Sequence, residues 1–472
     1  MRSRVFRRSL ILIFIAVIVV ASVSSIVLAS INVQTSLYGY SRVRNVIVFL
    51  PDGAGLSHII AARLVKGQPL IFEEFPYRGF FTTFSLDAVV TDSAAAGSAF
   101  ATGFKVKNRM LSTSPDGRPL KTILEVAKDL GKSVGLITTS EVVDASPAAF
   151  GAHAKSRDMY NEIAEQYIGK VDVVLGGGRK YFLPKALGGA REDGKNLVEL
   201  AKKLGYVYVE NREELLSLNL SNVSKLLGLF EWEDLPYEID RVREYYDEVP
   251  SLAEMTAVAI EVLSKDPDGF FLFVETEVTD EAAHDNDIAS VVYDLLALEK
   301  AVRVALDFAE RNPDTLIIVL ADHETGGLAI TSRFDANKIR FIKASVGYMT
   351  NLIIKGRNIT EVLLEYTGIT PTADDVNTIK KAVDEYSQGK LTLRSVIRVI
   401  SPIINKYVGV IFASTEHTAE PVPIFAKGPN AELVKNVRDN TDVFHLILTA
   451  YLGKPNTPLT TWSIIRIVTS YK

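Results

Sequence analysis

The sequence contains no cysteine among its 472 residues. This absence excludes disulfide bonds, thiolate ligands for zinc and a thiol nucleophile. Long runs of lysine and arginine are also missing beyond the first few residues, and the formal net charge is -5. This charge pattern argues against nucleic acid as a dedicated partner. Any metal site in this chain must therefore use histidine, carboxylate and hydroxyl ligands.

Residues 1–29 have the features of an export segment. Four arginines precede an apolar stretch from Leu10 to Leu28, and the small residue Ala29 follows it. A basic start, an apolar middle and a small-residue end are typical of a secretory signal peptide. The stretch is close to the roughly 20 residues that span a bilayer, so an uncleaved N-terminal membrane anchor is the alternative. We expect an exported protein, located outside the cell, at its surface or in a periplasm-like compartment.

Short apolar runs alternate along the chain with segments of helical periodicity. Runs rich in β-branched residues are typical of buried parallel strands, and they are found at 45–50, 133–139, 171–175, 270–274, 315–320 and 408–413. Helices are predicted at 121–130, 252–265 and 291–311. The alternation predicts an α/β fold with a doubly wound, mostly parallel central sheet that is flanked by helices.

Three stretches depart from this alternation. Residues 335–405 (the 335–405 segment) contain predicted amphipathic helices at 358–366 and 373–388. We expect this segment to be a helical insertion that covers or flanks the functional site. Residues 205–250 are rich in charged residues and tyrosine, which favours a peripheral excursion over a layer of the sheet. The C-terminal tail, 453–472, is too short and too polar for a second membrane span.

Polar residues follow the predicted strands directly. In open α/β sheets, ligands bind outside the carboxyl ends of the strands, so these side chains are expected to meet at one edge. They are Asp52, Asp144, Ser146, Glu275, Asp280, His284, Asp322, His323 and His417. Their carboxylates would repel each other without matching basic residues, and divalent cations would relieve that repulsion. Imidazoles beside carboxylates suit zinc or cobalt.

Each of these motifs also has a plain structural explanation. Asp52 before Gly53 is typical of a turn. Asp280 and His284 share one face of a helical turn, as chelation requires, but most such pairs are solvated. Asp322 before the glycines at 326 and 327 is compatible with an Asx turn. The metal interpretation depends on these features recurring together at successive strand ends.

Ser93 is the candidate nucleophile. The alanines that follow it favour a helix, so Ser93 is predicted at or near a helix N-terminus. A simple N-cap would use the same geometry. The same position would also suit a nucleophilic serine, because free amides and the helix dipole there favour the binding of an anionic phosphate. A metal can also deprotonate the hydroxyl without a histidine base.

These motifs resemble those of the alkaline phosphatase family. They are residues 91–96, 102–103, 144–149, 321–323 and 414–418, and they occur in the family's order. The resemblance implies a catalytic domain at 43–452, within which the 335–405 segment is unlike the family's core. It further implies a metal-dependent phosphomonoesterase that hydrolyses phosphate monoesters to an alcohol and inorganic phosphate through a phosphoserine at Ser93.

The resemblance also implies three metal sites and a substrate clamp. The first Zn²⁺ would be bound by Asp280, His284 and His417, and the second, which activates Ser93, by Asp52, Asp322 and His323. Co²⁺ could replace Zn²⁺. One Mg²⁺ would be bound by Asp52, Ser146 and Glu275, with Asp144 acting through a coordinated water. Arg157 would grip two phosphate oxygens, a task that suits a planar guanidinium.

Two residues depart from the family pattern. Ser146 stands where threonine is common, but it still offers a hydroxyl ligand. Glu281 stands where the family tends to have lysine, histidine or tryptophan. An acid there would weaken phosphate binding, pair with a nearby lysine or change the identity of the third metal, and the sequence leaves these options open. His58, His153 and His445 are expected to have packing or surface roles.

Two other classes of function remain as alternatives. A related metallohydrolase would act on phosphodiesters or sulfate esters. A non-catalytic secreted protein would bind phosphate or metal and show no turnover. Similar enzymes often form homodimers, and the sequence leaves a homodimer open.

Overall fold

The computed structural model describes residues 42–453. The expected export segment at 1–29 lies outside the described residues, as does the tail beyond Gly453. Between residues 42 and 453, no helix is both long enough and apolar enough to cross a membrane.

A nine-stranded sheet forms the centre of the fold. The strands are β1 (Asn45–Pro51), β2 (Tyr77–Phe81), β3 (Ser133–Glu141), β4 (Val173–Gly177), β5 (Val207–Val209), β6 (Leu226–Leu229), β7 (Phe270–Thr276), β8 (Thr315–Leu320) and β13 (Val422–Lys427). Their order in the sheet is β2-β13-β8-β1-β7-β3-β4-β6-β5. Every pairing in this sheet is parallel except the two made by β13. The mostly parallel sheet is therefore confirmed.

The central strands are buried because helices cover the sheet. Every residue of β1, β7 and β8 is buried, as expected for parallel strands covered on both faces. The helices are α1 (Leu56–Lys66), α2 (Ser93–Thr102), α3 (Ile123–Asp129), α4 (Ala145–Gly151), α5 (Tyr160–Tyr167), α6 (Leu197–Lys203), α7 (Arg212–Leu216), α8 (Glu238–Glu244), α9 (Leu252–Leu263), α10 (Val278–His284), α11 (Ile288–Arg311), α12 (Ala336–Phe341), α13 (Val346–Ile354), α14 (Ile359–Thr367), α15 (Ala373–Ser387), α16 (Leu393–Val408) and α17 (Asp442–Leu452). Short 3₁₀ helices lie at Ile71–Glu74, Arg179–Phe182, Lys185–Leu187, Leu220–Asn222 and Ala431–Asn436.

Two of the sequence-based predictions about the sheet are wrong. The run 408–413 is not a buried parallel strand, because Val408 ends α16 and β11 (Val410–Phe412) pairs antiparallel with β10 (Leu328–Ile330) in a separate two-stranded sheet. Ile411 in β11 is 59% exposed. The stretch 205–250 is not only a peripheral excursion, since β5 and β6 extend the main sheet at one edge. Both errors arise because short apolar runs do not reveal their partners.

The 335–405 segment is helical. Helices α14 and α15 begin and end within one residue of the predicted ranges. Asn358 caps α14, and Thr372 caps α15 in a reciprocal pair with Asp375, which satisfies free amides of the first turn. Helix α16 then leads into β11. In sequence, the segment is therefore an insertion between β10 and β11, which pair with each other.

Candidate active site

The ends of the central strands bring most of the predicted site residues together. Asp52 directly follows β1, Glu275 is the penultimate residue of β7, and Asp322 follows β8 after one residue. His417 arrives differently. It belongs to β12 (His417–Thr418), which pairs antiparallel with β9 (Glu324–Thr325), and this pairing places His417 opposite Thr325. A small antiparallel ladder, not the edge of the main sheet, therefore carries this residue to the site.

Asp280, His284 and His417 form the first of two groups that could hold a metal ion. One ligand atom from each residue lies within 4.8 Å of the others. Asp280 and His284 occupy one turn of α10, with His284 Nε2 3.0 Å from Asp280 Oδ2. His284 Nε2 is 3.1 Å from His417 Nε2. Burial disfavours the charged imidazolium, but the hydrogen bond and charge of Asp280 outweigh it and raise the pKa of His417 to about 9.

Backbone carbonyls orient both histidines of this first group. His284 Nδ1 is 2.6 Å from the Thr415 carbonyl oxygen, and His417 Nδ1 is 2.9 Å from that of Thr91. A carbonyl can only accept, so Nδ1 must carry the proton in each ring. In the neutral imidazoles, Nε2 is therefore left with the lone pair that a metal requires.

Asp52, Asp322 and His323 form the second group. All three are fully buried. His323 Nε2 lies 3.0 Å from Asp322 Oδ2 and 3.5 Å from Asp52 Oδ1. Burial, followed by the charges of Asp322 and Asp280, raises the pKa of Asp52 well above its usual range. The groups adjoin each other, because the rings of His323 and His417 stack with their centroids 3.6 Å apart.

Ser93 lies against the second group at the first position of α2. Its Oγ is 3.2 Å from His323 Nε2. The N-cap is Asp92 and not Ser93, because the Asp92 side chain accepts from the backbone amide of Ala95. Asp92 thereby satisfies the cap and leaves the Ser93 hydroxyl available. Ser93 is only 4% exposed, so its hydroxyl faces the site and not bulk water.

A third set of oxygens includes the second carboxylate oxygen of Asp52, which does not face His323. Ser146 Oγ donates to Asp52 Oδ2 at 3.2 Å, and Thr138 Oγ1 donates to Glu275 Oε2 at 2.6 Å. Burial, followed by the charge of Asp144, raises the pKa of Glu275 to about 8. The atoms that could bind a metal here are all oxygens, which suits Mg²⁺ better than Zn²⁺.

The residues present fit the implied metals, because several of their buried carboxylate oxygens lack a hydrogen-bond partner. Asp52 Oδ1, Glu275 Oε1 and Asp322 Oδ2 are buried and accept no hydrogen bond. A buried carboxylate oxygen without a partner is costly. All three belong to the predicted metal ligands, so a cation would supply the missing partner at each.

Comparison with known proteins then identifies the family. The family model described as Alkaline phosphatase matches residues 43–452. Alkaline phosphatase 3 of Bacillus subtilis is 36% identical over 422 residues, which cover 85% of this chain and 87% of the relative. The human tissue-nonspecific isozyme is 31% identical over 464 residues, covering 86% and 83%. The chain belongs to the alkaline phosphatase family.

Solved structures support the same assignment for the fold. The alkaline phosphatase of Thermus thermophilus superposes with a TM-score of 0.79 at 31% identity, covering 92% of this chain and 98% of that chain. The alkaline phosphatase from a psychrophilic Shewanella gives a TM-score of 0.76 at 30% identity, covering 86% and 99%. The chain is thus an alkaline phosphatase enzyme with the fold of that family.

Arg157 borders the Ser93 site of this alkaline phosphatase. Its Nη2 donates to both oxygens of Asp144, at 3.1 and 3.2 Å, and its Nη1 donates to Asp92 at 3.4 Å. Burial favours the neutral form, but the charges of Asp144 and Asp92 outweigh it and raise the pKa of Arg157. The guanidinium is therefore a fixed positive charge held by two carboxylates, one of which, Asp92, directly precedes Ser93.

Gly53 shows how closely the backbone approaches the ligands. Its φ is 67°, a left-handed conformation that suits glycine. A Cβ at this position would lie 2.8 Å from Thr325 Oγ1 and closer still to the Asp280 carboxylate. The Gly53 amide donates to Asp322 Oδ1 at 3.2 Å. The turn after β1 therefore needs glycine for both its conformation and its space.

Three residues that contact the candidate ligands or Arg157 were not predicted from the sequence. Thr325 Oγ1 donates to Asp280 Oδ1 and lies 3.2 Å from His323 Nδ1, so it connects the two groups. Asp92 caps α2 and holds Arg157, and Thr138 orients Glu275. Asp92 lies within a recognised motif and Thr325 lies close to one, which is the only signal that could have singled them out.

The remaining noted residues lie outside the two groups. Glu281 pairs with Arg394 of the 335–405 segment, Nη2 to Oε2 at 2.6 Å, so its partner is an arginine and not a lysine. His153 lies 2.9 Å from Glu125 and 2.8 Å from the Ser112 carbonyl oxygen, as a packing role requires. His58 is fully buried, and His445 packs edge-on against Phe444.

Proposed function

We propose that this alkaline phosphatase hydrolyses phosphate monoesters through a phosphoserine formed on Ser93, with divalent cations held by the residues around it. The observation that carries the proposal is the position of the Ser93 hydroxyl, 3.2 Å from His323 within the buried group of Asp52, Asp322 and His323. A serine that merely capped a helix would not need to lie inside a candidate metal site, and Asp92 already performs that task.

The proposed cations follow from the donor atoms. The two groups that contain imidazoles suit Zn²⁺, with Co²⁺ as a substitute. The oxygen set of Asp52, Ser146 and Glu275 suits Mg²⁺, with Asp144 contributing through water. Bound cations would lower the pKa of the serine hydroxyl and of water and would offset negative charge during the reaction.

The chain's own residues would position the substrate. Phosphoryl transfer has a loose transition state, so catalysis depends mainly on placement and charge stabilisation. Free amides at the start of α2 favour phosphate oxygens next to Ser93. Arg157 offers a planar fork to two of these oxygens. We propose that it exchanges part of its contact with Asp144 or Asp92 for the phosphate, since both contacts are 3.1 Å or longer.

Turnover of p-nitrophenyl phosphate by purified, metal-loaded protein tests this function. We expect hydrolysis by the wild type, loss of it after removal of metals, and recovery on adding Zn²⁺ with Mg²⁺. Ser93→Ala should lose turnover and lose the phosphorylated peptide after acid quenching. Ser217→Ala, at an exposed helix end, is the control. A fully metallated wild type without monoesterase activity would refute the proposal.

Two alternative substrates are separated by the same assay. Bis-p-nitrophenyl phosphate reports diesterase activity, and p-nitrophenyl sulfate reports sulfatase activity. The fork at Arg157 can contact two free phosphate oxygens, which a monoester offers together with a third. We therefore expect the monoester to give the highest kcat/KM, and a preference for the diester or the sulfate would contradict this assignment.

Export and assembly are further parts of the proposal. The basic and apolar residues at 1–29 support export, with cleavage or retention as an anchor. N-terminal sequencing of the protein from fractionated cells distinguishes these outcomes, and a protein that stays wholly in the cytoplasm with an intact N-terminus would refute export. Sedimentation of the purified enzyme tests for a homodimer.

A further inference from the structure

Arg394 of the 335–405 segment contacts the helix that carries two candidate ligands of the first group. Arg394 Nη2 donates to Glu281 Oε2 at 2.6 Å, and its Nε donates to Asp285 Oδ1 at 2.7 Å. Glu281 and Asp285 follow the ligands Asp280 and His284 by one position each. Residues four apart share a helix face, so one guanidinium spans the turn that holds both ligands.

Other contacts from the same segment hold the chain just after that helix. Asn405 Nδ2 donates to the Asn286 carbonyl oxygen at 2.8 Å, and the Val346 amide donates to Asp287 Oδ2 at 2.7 Å. These contacts fix the residues that follow the ligand turn, and they lie at its C-terminal side.

Arg398 contacts the same turn less closely than Arg394 does. Its Nε lies 3.4 Å from Asp285 Oδ1, which is longer than the 2.7 Å contact of Arg394 with the same oxygen. Arg394 is the arginine that also pairs with Glu281, at the start of the ligand turn. Its guanidinium therefore bridges the two ends of the turn.

The pair of Arg394 and Glu281 contributes little to folding. Their side chains are 41% and 36% exposed, and ion pairs that solvent reaches contribute little to stability. The positive charge of Arg394 matters more for the carboxylates next to it than for the stability of the fold. Without Arg394, the carboxylates of Glu281 and Asp285 would lack the cation that they share, and Glu281 would add negative charge next to Asp280.

We infer that Arg394 is a positioning residue for the first cation site. It holds the ligand turn of α10 so that Asp280 and His284 face His417, and it offsets the charge of Glu281. The inference rests on the proposed function, in that the first group must bind a cation. It explains how this chain accommodates an acid directly after the candidate ligand Asp280.

Cobalt binding by the full-length protein tests the inference. Visible absorption of bound Co²⁺ reports the coordination geometry, and competition with a chelator gives the affinity. Partners outside the ligand shell typically change metal affinity by about 10–100-fold. We expect Arg394→Gln to weaken one bound Co²⁺ about tenfold and to change its spectrum. Arg394→Lys should fall between, because an ammonium lacks the planar fork.

Two further variants make the experiment decisive. Arg357→Gln removes an exposed pair with Glu365 in the same segment, and it should bind Co²⁺ as the wild type does. Glu281→Gln combined with Arg394→Gln removes the unpaired charge but does not restore the clamp, so its affinity should stay low. Full recovery in this double variant would overturn the positioning role.

The outcomes separate the inference from the proposed function. If Arg394→Gln bound Co²⁺ with wild-type affinity and an unchanged spectrum, the inference would be overturned. The proposed function would still hold, provided that the wild type binds Co²⁺ and has monoesterase activity. If Arg394→Gln does not fold, wild-type affinity and spectrum in Arg394→Lys would overturn it equally. A wild-type protein that binds no Co²⁺ would instead refute the proposed function.

Discussion

The Thr325 hydroxyl links the two candidate cation groups through hydrogen bonds. It donates to Asp280 Oδ1 in the first group and lies 3.2 Å from His323 Nδ1 in the second. Thr325 is fully buried. Thr325→Val keeps the shape of the side chain but removes the hydroxyl, so it leaves Asp280 without this donor and His323 Nδ1 without this partner.

The size of the effect follows from these two lost contacts. A hydrogen bond to a charged group contributes about 1.5–3 kcal/mol. Changes outside the ligand shell lower metal affinity by about 10–100-fold, which corresponds to about 1.4–2.8 kcal/mol. Both figures agree on the scale of one charged hydrogen bond. We therefore expect Thr325→Val to bind Zn²⁺ about 10–100-fold more weakly, with both groups affected.

Chelator competition measures this affinity, and thermal unfolding at a fixed excess of Zn²⁺ checks it. A tenfold weaker affinity lowers the stabilisation by bound metal by about 1.4 kcal/mol. Thr325→Ser retains the hydroxyl and should stay close to the wild type. This role of the hydroxyl would be refuted if Thr325→Val bound Zn²⁺ as tightly as Thr325→Ser in the same buffer.

Three shorter predictions concern other parts of the enzyme. Gly53→Ala should lower kcat/KM for p-nitrophenyl phosphate at least about tenfold, as a displaced ligand shell would, whereas Gly356→Ala, also at positive φ but with open space around it, should not. Although burial opposes it, the hydrogen bond with His153 lowers the pKa of Glu125 from 4.5 to about 2. The stability from this carboxylate is thus present above pH 4.5 and lost toward pH 2. Urea unfolding should show Glu125→Gln about 1–3 kcal/mol less stable at pH 6, and an equal loss at pH 2 would contradict this. Glu281→Lys should change inhibition by phosphate or activation by metals, and unchanged values for both would show that Glu281 is a bystander.

Much of the site could be predicted because its ligands follow strand ends. Asp52, Glu275 and Asp322 each come at the end of a fully buried parallel strand, and such strands are recognisable as continuous apolar runs. The topology then brings their carboxyl ends to one edge. His417 shows the limit of this reasoning. The run before it is equally apolar, yet it belongs to a small antiparallel sheet, and only the motif around His417 pointed to this residue.

The residues that orient the ligands could not be predicted, because their partners are distant in sequence. Arg394 and Glu281 are separated by 113 positions, and Thr138 and Glu275 by 137. No periodicity or local spacing connects such pairs. Thr325 is close to His323 in sequence, but a threonine after a strand has many uses, and only the position of Asp280 gives its hydroxyl a role.

The same limit applies to the edges of the sheet. Strands β5 and β6 are short, with three and four residues, and helix α7 and a 3₁₀ helix lie between them in sequence. Their apolar residues are too few to distinguish a strand from a loop that covers the core. The central strands are longer and buried throughout, so their pattern alone was sufficient.

The central claim is that a cation cluster surrounds the Ser93 hydroxyl. Anomalous X-ray scattering from crystals of the zinc-loaded enzyme tests it most directly. We expect one peak bound by Asp280, His284 and His417, and a second bound by Asp52, Asp322 and His323, with ligand distances of about 2.0–2.2 Å and Ser93 Oγ within bonding reach of the second. Zinc peaks elsewhere, or a Ser93 hydroxyl that contacts neither ion, would contradict the account.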